Sequence, residues 1–344
     1  MLYAMHCEEF GMKNETTANF TKLNLLSELV PLRTPLSVAI SPNNICNIQC
    51  KYCYHGSDKK KEDIRNKTYV PTMISEECFE RIVSQLEEFD DPIKQITVIG
   101  LGEPLVNQNL PDMIHTLKAR AAERVKISSN ALMLTHEWSE KLIQSGLDVF
   151  KVSIQGIRSE VYRTMCGTRM DFNNLVDELT YFSSIRGNCK LHIKCVDAAL
   201  DFSTGEDKRF FEIFKPIADF VQIENLNETD ETGRIIDERN RWDDSIDIHN
   251  AKVCYFPFYF LDILENGDVA PCCNTGFHIS NIYTHSLKEV WTQQIHTLCE
   301  NMLNGQIDQL PLCSNCTIWK NLMRPENFLD DAREAILERW KIHE

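Results

Sequence analysis

Three cysteines stand together in the stretch CNIQCKYC: Cys46, Cys50 and Cys53. Thiolates at this density suit soft metals, and iron–sulfur clusters are a main use of them. The C-x3-C-x2-C spacing offers three ligands, whereas an iron–sulfur cube has four irons to hold. One iron is then left without a protein ligand, and an open coordination position is a place where chemistry can happen. Tyr52 puts an aromatic ring just before the last cysteine. The competing chemistry is zinc with a distant fourth ligand such as His55, although zinc knuckles more often use C-x2-C pairs.

A second cysteine set lies toward the C-terminus. Cys254 is followed by Gly267-Asp-Val-Ala-Pro-Cys272 and later by Cys313-Ser-Asn-Cys316. Residues 259–264 and 268–271 flank Asn266-Gly267, the strongest short signal for a β-hairpin. That turn brings Cys254 and Cys272 together, and the C-x2-C pair adds two more ligands. Four thiolates make a closed site, for an iron–sulfur cluster or for structural zinc. Cys273 adjoins Cys272 and can exchange roles with it. Cys7, Cys78, Cys166, Cys189, Cys195 and Cys299 read as buried apolar thiols.

These residues need a scaffold, and the sequence describes one. From residue 36 to 225 strand-like runs alternate with helical ones, the signature of a parallel sheet built from βα units. Strands are expected at 36–41, 95–100, 124–128, 148–155, 190–196 and 219–224. Ser75 caps one helix, with acids in its first turn and a stripe through Phe79, Ile82, Val83 and Leu86; Thr135 opens another. Six such units are too few for a closed eight-stranded barrel. Strands buried on both faces read as unbroken apolar runs, yet these alternate. Lys126 and Ser128, then Lys151, Ser153 and Gln155, then His192 and Lys194, then Gln222 and Glu224 share one face of their strands. Their apolar neighbours must pack on the helices, so the polar set is expected to point inward and line a cavity. Residues 226–250 are polar and acidic and read as a linker, and helices are expected over 286–302 and 329–341.

A chain of 344 residues has room for one large α/β domain and a smaller appendage. Its formal charge of −15 argues against a nucleic-acid surface, which needs clustered Lys and Arg. The run Lys59-Lys60-Lys61 is brief and flanked by acids. Nothing at the start reads as a signal peptide, and no apolar stretch approaches bilayer length. The fourteen cysteines are then better read as metal ligands and buried thiols than as disulfides, and a cytoplasmic location is expected. On that reading the sequons at Asn14, Asn19 and Asn66 mean nothing.

The octet around Cys50 resembles the cluster motif of the radical S-adenosylmethionine superfamily. The resemblance implies that the free iron is taken by the amino and carboxylate groups of S-adenosylmethionine. It also implies an α/β fold, an open six-stranded (βα)6 partial TIM barrel with a small C-terminal β-hairpin and helix iron–sulfur domain. Ile99-Gly-Leu-Gly-Glu-Pro104 is similar to the superfamily's Gly-Gly-Glu-Pro turn, with Leu101 in place of the first glycine. Cofactor contacts are accordingly expected from Tyr52, Gly102 and Glu103, from Ser128, Asn130 and Ser153, and from Arg163 as a carboxylate partner. The C-x12-G-x4-C…C-x2-C layout resembles the Twitch domain, a shortened SPASM domain holding one auxiliary [4Fe–4S] cluster on Cys254, Cys272, Cys313 and Cys316. No cysteine follows Cys316, so the second auxiliary cluster of a full SPASM domain is not expected. The expected layout is an extension over 1–35, the barrel over 36–225, the linker, the cluster domain over 251–320 and a terminal helix over 321–344.

Members of this superfamily cleave S-adenosylmethionine reductively and use the resulting radical to take a hydrogen atom from substrate. The cysteine spacing resembles that of the Twitch-bearing dehydrogenase type of the butirosin pathway, which oxidises a sugar-like alcohol. The expectation is oxidation or epimerisation of a small polyhydroxylated compound, with His192, Lys194 or Glu224 as base. Electrons would come from an external one-electron donor such as flavodoxin or ferredoxin, and neither nucleic acid nor membrane is expected as a partner. Epimerisation needs a thiol near the cavity; Cys195 falls on the helix-facing side of its strand, which leaves Cys166 and Cys273 and favours oxidation. Modification of a peptide is the runner-up, weakened because 35 residues are too few for a leader-binding domain. A non-enzymatic iron–sulfur or zinc protein is the third reading, and the polar inward face counts against it.

Overall fold

Alternating strands and helices demand a parallel sheet, and the computed structural model of this chain contains one. It describes residues 25–224, 226, 251–273, 277–310, 313–314, 316, 318–321, 323 and 325–343. Most of the expected N-terminal extension, with Cys7, Asn14 and Asn19, and the expected linker beyond Leu226 lie outside the described residues.

The first six strands are β1 (Ser37–Ile40), β2 (Gln95–Val98), β3 (Val125–Ser129), β4 (Val149–Ile154), β5 (Lys190–Val196) and β6 (Phe220–Glu224). Each pairs in parallel with the next, and β6 does not return to β1, so the barrel is open as expected. Helices α1 (Leu26–Leu29), α2 (Asp58–Arg65), α3 (Glu76–Leu86), α4 (Leu110–Arg120), α5 (His136–Gln144), α6 (Ser159–Cys166), α7 (Phe172–Ile185) and α8 (Glu206–Phe214) precede or connect the strands. The caps read from sequence are present. Ser75 accepts from the Cys78 amide at the start of α3, and Thr135 from the Trp138 amide at the start of α5.

The alternation along the strands resolves into two faces. Val38, Ile40, Ile96, Val98, Val125, Ile127, Phe150, Val152, Leu191 and Ile193 are fully buried on the helix side. Burial of each such side chain is worth roughly 1.5–3 kcal/mol relative to leaving it in water, which fixes the register of every strand.

The C-terminal hairpin differs from expectation in one respect. Strands β7 (Phe260–Ile263), β8 (Asp268–Ala270) and β9 (Ser280–Asn281) do turn at Asn266-Gly267, but they form no sheet of their own. β7 lies parallel to β1, with Ser37 beside Phe260 and Ala39 beside Asp262, and the nine strands form one sheet in the order β6-β5-β4-β3-β2-β1-β7-β8-β9. The physical reason is the bare edge of β1, which β7 satisfies with a full backbone ladder. Beyond the hairpin, a Ser286–Glu289 capping box opens α9 (Leu287–Glu289), which continues through a π-helical stretch (Val290–Ile295) into α10 (His296–Leu303). Two further helices, α11 (Ile318–Asn321) and α12 (Arg333–His343), follow. Among the described residues no helix is long and apolar enough to cross a membrane.

Candidate metal and cofactor site

The first cysteine loop leaves the C-terminal end of β1 and is held from three sides. The Gln49 and Lys51 amides donate to the Cys166 and Met165 carbonyls at the end of α6, both at 2.9 Å. From β2, the Gly102 and Glu103 amides donate to the Asn43 and Ile45 carbonyls at 3.2 and 2.8 Å. From β3, the Asn130 side-chain amide reaches Asn47 at 2.7 Å and the Cys46 sulfur at 4.0 Å. Cys50 is buried, while Cys46 and Cys53 are half-buried. Burial pushes the Cys46 thiol up to about 12 and the Cys53 thiol up to about 11. Groups so reluctant to ionise alone become ligands when a metal displaces the proton.

Two glycines permit this packing. A Cβ on Gly56 would overlap the Cys50 carbonyl, and one on Gly102 would overlap the Asn43 side-chain oxygen. We expect Gly56→Ala to purify with about four fewer irons per chain than the unaltered protein. Iron quantitation on the anaerobic protein checks this, and full iron content would show that the loop can yield.

His55 cannot serve as a zinc ligand here. One ring nitrogen meets the Leu101 carbonyl at 2.9 Å and the other meets the Lys60 ammonium. Burial, with the Lys60 charge, lowers its pKa to about 4, so the ring stays neutral with both nitrogens occupied. Tyr52 is buried, and its hydroxyl has no hydrogen-bond partner among the described residues. Burial, and then the Cys50 and Cys166 thiols, push this phenol well up.

Glu103 is held by the protein on three sides. Its fully buried carboxylate accepts from the Leu105 amide at 3.0 Å, the Ser129 hydroxyl at 2.6 Å and the Asn130 amide at 2.7 Å. It thereby ties the end of β2 to the end of β3. Burial raises its pKa even so. Ser129 and Asn130, which end β3 beside Ser128, are thus engaged by Glu103. The Gly102 carbonyl, by contrast, accepts no hydrogen bond from the described residues and is half-buried. It fits an ammonium guest, such as the amino group of S-adenosylmethionine.

The inward face assembles across neighbouring strands. Register places Ser128 beside Lys151 and Lys151 beside His192, and Ser153 beside Lys194 and Lys194 beside Gln222. Lys126, Lys151 and Lys194 are buried; Ser128, Ser153, His192 and Gln222 are half-buried. Lys194 pairs with Glu224 at 2.6 Å, Lys151 lies 3.9 Å from the same carboxylate, and the Gln222 amide donates to it. Glu224 is therefore occupied as an acceptor, which weakens its candidacy as the base. The His192 ring packs on Phe220. Gln155, just past the end of β4, has a buried side-chain oxygen that no described residue satisfies. Arg163 does not join this group, because its guanidinium pairs with Glu160 on the solvent side of α6.

The second cysteine set also converges. Cys254, Cys272, Cys273, Cys313 and Cys316 line one cavity, walled by Phe256, Phe277, Leu298 and Trp319. Burial, and then Cys272, Cys316 and Cys313, push the Cys254 thiol well up. The buried Trp319 indole N–H lining this cavity has no partner among the described residues. An iron–sulfur cluster suits such a cavity, since its sulfurs would accept that orphaned hydrogen. Among the described residues no three His, Cys, Asp or Glu side chains gather onto a single ion.

Comparison with known proteins agrees with this geometry. Residues 40–193 match the profile of the radical SAM superfamily, and residues 254–317 match that of the SPASM iron–sulfur cluster-binding domain. A probable GTP 3',8-cyclase of Methanococcus maripaludis is 28% identical over 126 residues, 37% of this chain and 38% of that protein. Its counterpart in Archaeoglobus fulgidus is 27% identical over 212 residues, 52% of this chain and 64% of that protein. The chain thus spans less than two thirds of the length of these relatives. Among solved structures, Streptococcus suis SuiB bound to S-adenosylmethionine is 17% identical with a TM-score of 0.58, covering 90% of this chain and 79% of that one. This likeness shows a shared fold. The chain carries a radical SAM domain and, after it, a SPASM iron–sulfur cluster-binding domain, and the cofactors that these two domains imply are S-adenosylmethionine and two [4Fe–4S] clusters.

Proposed function

We propose that this enzyme oxidises a hydroxyl-bearing carbon of a small polyhydroxylated compound. The observation that carries the reading is the continuous polar face inside the barrel, from Lys126 and Ser128 across Lys151, Ser153, His192 and Lys194 to Gln222 and Glu224. Such a face is a poor core and a good bed for hydroxyl groups. Cys46, Cys50 and Cys53 would hold the first cluster, with the Gly102 carbonyl toward the cofactor's amino group. Cys254, Cys272, Cys313 and Cys316 would hold the second. When bound, these groups supply a carbon radical that takes a hydrogen atom and an acceptor for one electron.

The chain's own residues then orient and protect the substrate. The Lys194–Glu224 pair fixes one wall of the cavity, while Ser128 and Ser153 offer hydroxyls that can donate or accept. Electrons for each turnover would come from a flavodoxin or ferredoxin.

The test is incubation with S-adenosylmethionine, dithionite and myo-inositol, 2-deoxy-scyllo-inosamine or glucose as probes, in deuterated water. We expect a probe to stimulate release of 5′-deoxyadenosine and to yield a product lighter by two hydrogens. Product of substrate mass carrying solvent deuterium on carbon would replace oxidation by epimerisation. Stimulation by peptides and by none of the hydroxylated probes would replace it by peptide modification.

A further inference from the structure

We infer that Asp262, on the strand that extends the barrel past β1, is the proton acceptor for oxidation in this cavity. The inference rests on the proposed reaction and names the base that it needs.

Placement comes first. Asp262 is in register with Ala39 on β1, Ala39 with Thr97 on β2, and Thr97 with Lys126 on β3. Residues in register across a sheet share a face, so Asp262 belongs to the inward row that ends in the lysines. Its neighbours Leu261 and Ile263 are fully buried on the opposite side. Only 4% of Asp262 is exposed.

The second observation is what surrounds the carboxyl. Its backbone is paired in the sheet, but the Asp262 carboxyl makes no hydrogen bond and no ion pair with any described residue, although buried polar side chains are nearly always satisfied. Its ladder partners on both sides are alanines, Ala39 and Ala270, which leave room above the sheet where larger side chains would fill it. A buried acid with no partner, flanked by the smallest side chains, is a place prepared for a guest's hydroxyl. Glu224 offers no equivalent, since Lys194, Lys151 and the Gln222 amide already take its oxygens.

The electrostatics agree. Burial, and then the charge of Glu265, push the Asp262 carboxyl up to about 8. The other groups facing it are uncharged: Ser37 and Ala39 on β1, Thr97 on β2, Phe260 on its own strand and Ala270 on β8. Glu265 itself accepts from Ser41 at 2.8 Å. A base that titrates near the operating pH is the efficient kind.

The substrate's C–H hydrogen leaves as an atom to the cofactor-derived radical. Its O–H proton would pass to the Asp262 carboxylate and its remaining electron to the cluster that Cys254, Cys272, Cys313 and Cys316 would hold, leaving a C=O bond.

Asp262→Asn in the holoenzyme keeps the shape and removes the proton acceptor. With the probe that stimulates cleavage most, we expect product formed per 5′-deoxyadenosine to fall by about 10²–10⁴-fold. In the unaltered enzyme that ratio should rise with pH through about 8, because only the ionised carboxylate accepts. Asp262→Glu should restore part of it. An infrared carboxylic-acid band that fades through the same pH range, and is missing in Asp262→Asn, is the readout independent of turnover. If Asp262→Asn loses its iron, the unaltered enzyme decides: a pH-independent ratio or no titrating band overturns the inference. Undiminished oxidation by an iron-replete Asp262→Asn overturns it while leaving the proposed reaction standing. An unaltered enzyme that oxidises no hydroxylated probe sinks the proposed reaction and this inference together.

Discussion

Replacing Cys46, Cys50 and Cys53 together by alanine should leave about four of about eight irons per chain and abolish release of 5′-deoxyadenosine. The two cysteine sets sit on different supports. The first hangs between the ends of β1, β2, β3 and α6, and the second lines a cavity walled by α10, Trp319 and the aromatic residues before β7. Loss of one set should therefore spare the other. Iron quantitation, with chromatography of the cleaved cofactor, reads both effects. Retention of both clusters by the triple variant, or zinc alone in the unaltered protein, would defeat the assignment.

Cys313→Ala or Cys316→Ala should remove the other half of the iron, again about four atoms, and uncouple the chemistry. Each would still release 5′-deoxyadenosine while product formation falls toward background, because the substrate's electron loses its acceptor. The variant should stay folded, since the barrel's inward face and its cysteine loop share no ligand with this cavity. Comparing product with 5′-deoxyadenosine under identical reduction measures the uncoupling. Full product yield from a folded variant lacking that cluster would make the second site structural only.

Much of this was legible in the sequence because it is local. The cysteine spacings, the six strands and the helix caps are written in short windows, and the inward lysines follow from strict alternation. Pairings between distant segments were not legible. Residues 260–263 read as half of a hairpin, which they are, but nothing within reach of that stretch says that β1, more than two hundred residues earlier, is its other neighbour. Asp262 was missed for this reason, since an acid in a hairpin strand looks solvent-facing until β1 covers it. Glu103 and Arg163 show a second thing that spacing does not carry. Motif position suggested that each meets a cofactor, whereas Glu103 is spent on three protein donors and Arg163 on a neighbouring acid. Donor and acceptor occupancy is a property of packed coordinates and leaves no trace in spacing.

The parallel pairing of β1 with β7 also bears on how the chain is made. Every other pairing of the barrel joins consecutive strands and can form as the polypeptide emerges. β1 must wait for residue 260 before its outer edge is covered. Until then a ribosome-bound chain presents an uncovered edge carrying Val38 and Ile40, a template for pairing with another nascent copy. Closing contacts of such long sequence separation are slow to form. Synthesis of this enzyme thus has a vulnerable interval that ends when the hairpin docks, and the same docking brings the segment after Cys254 against the barrel. Completion of the sheet and readiness of the second cysteine set are one folding event.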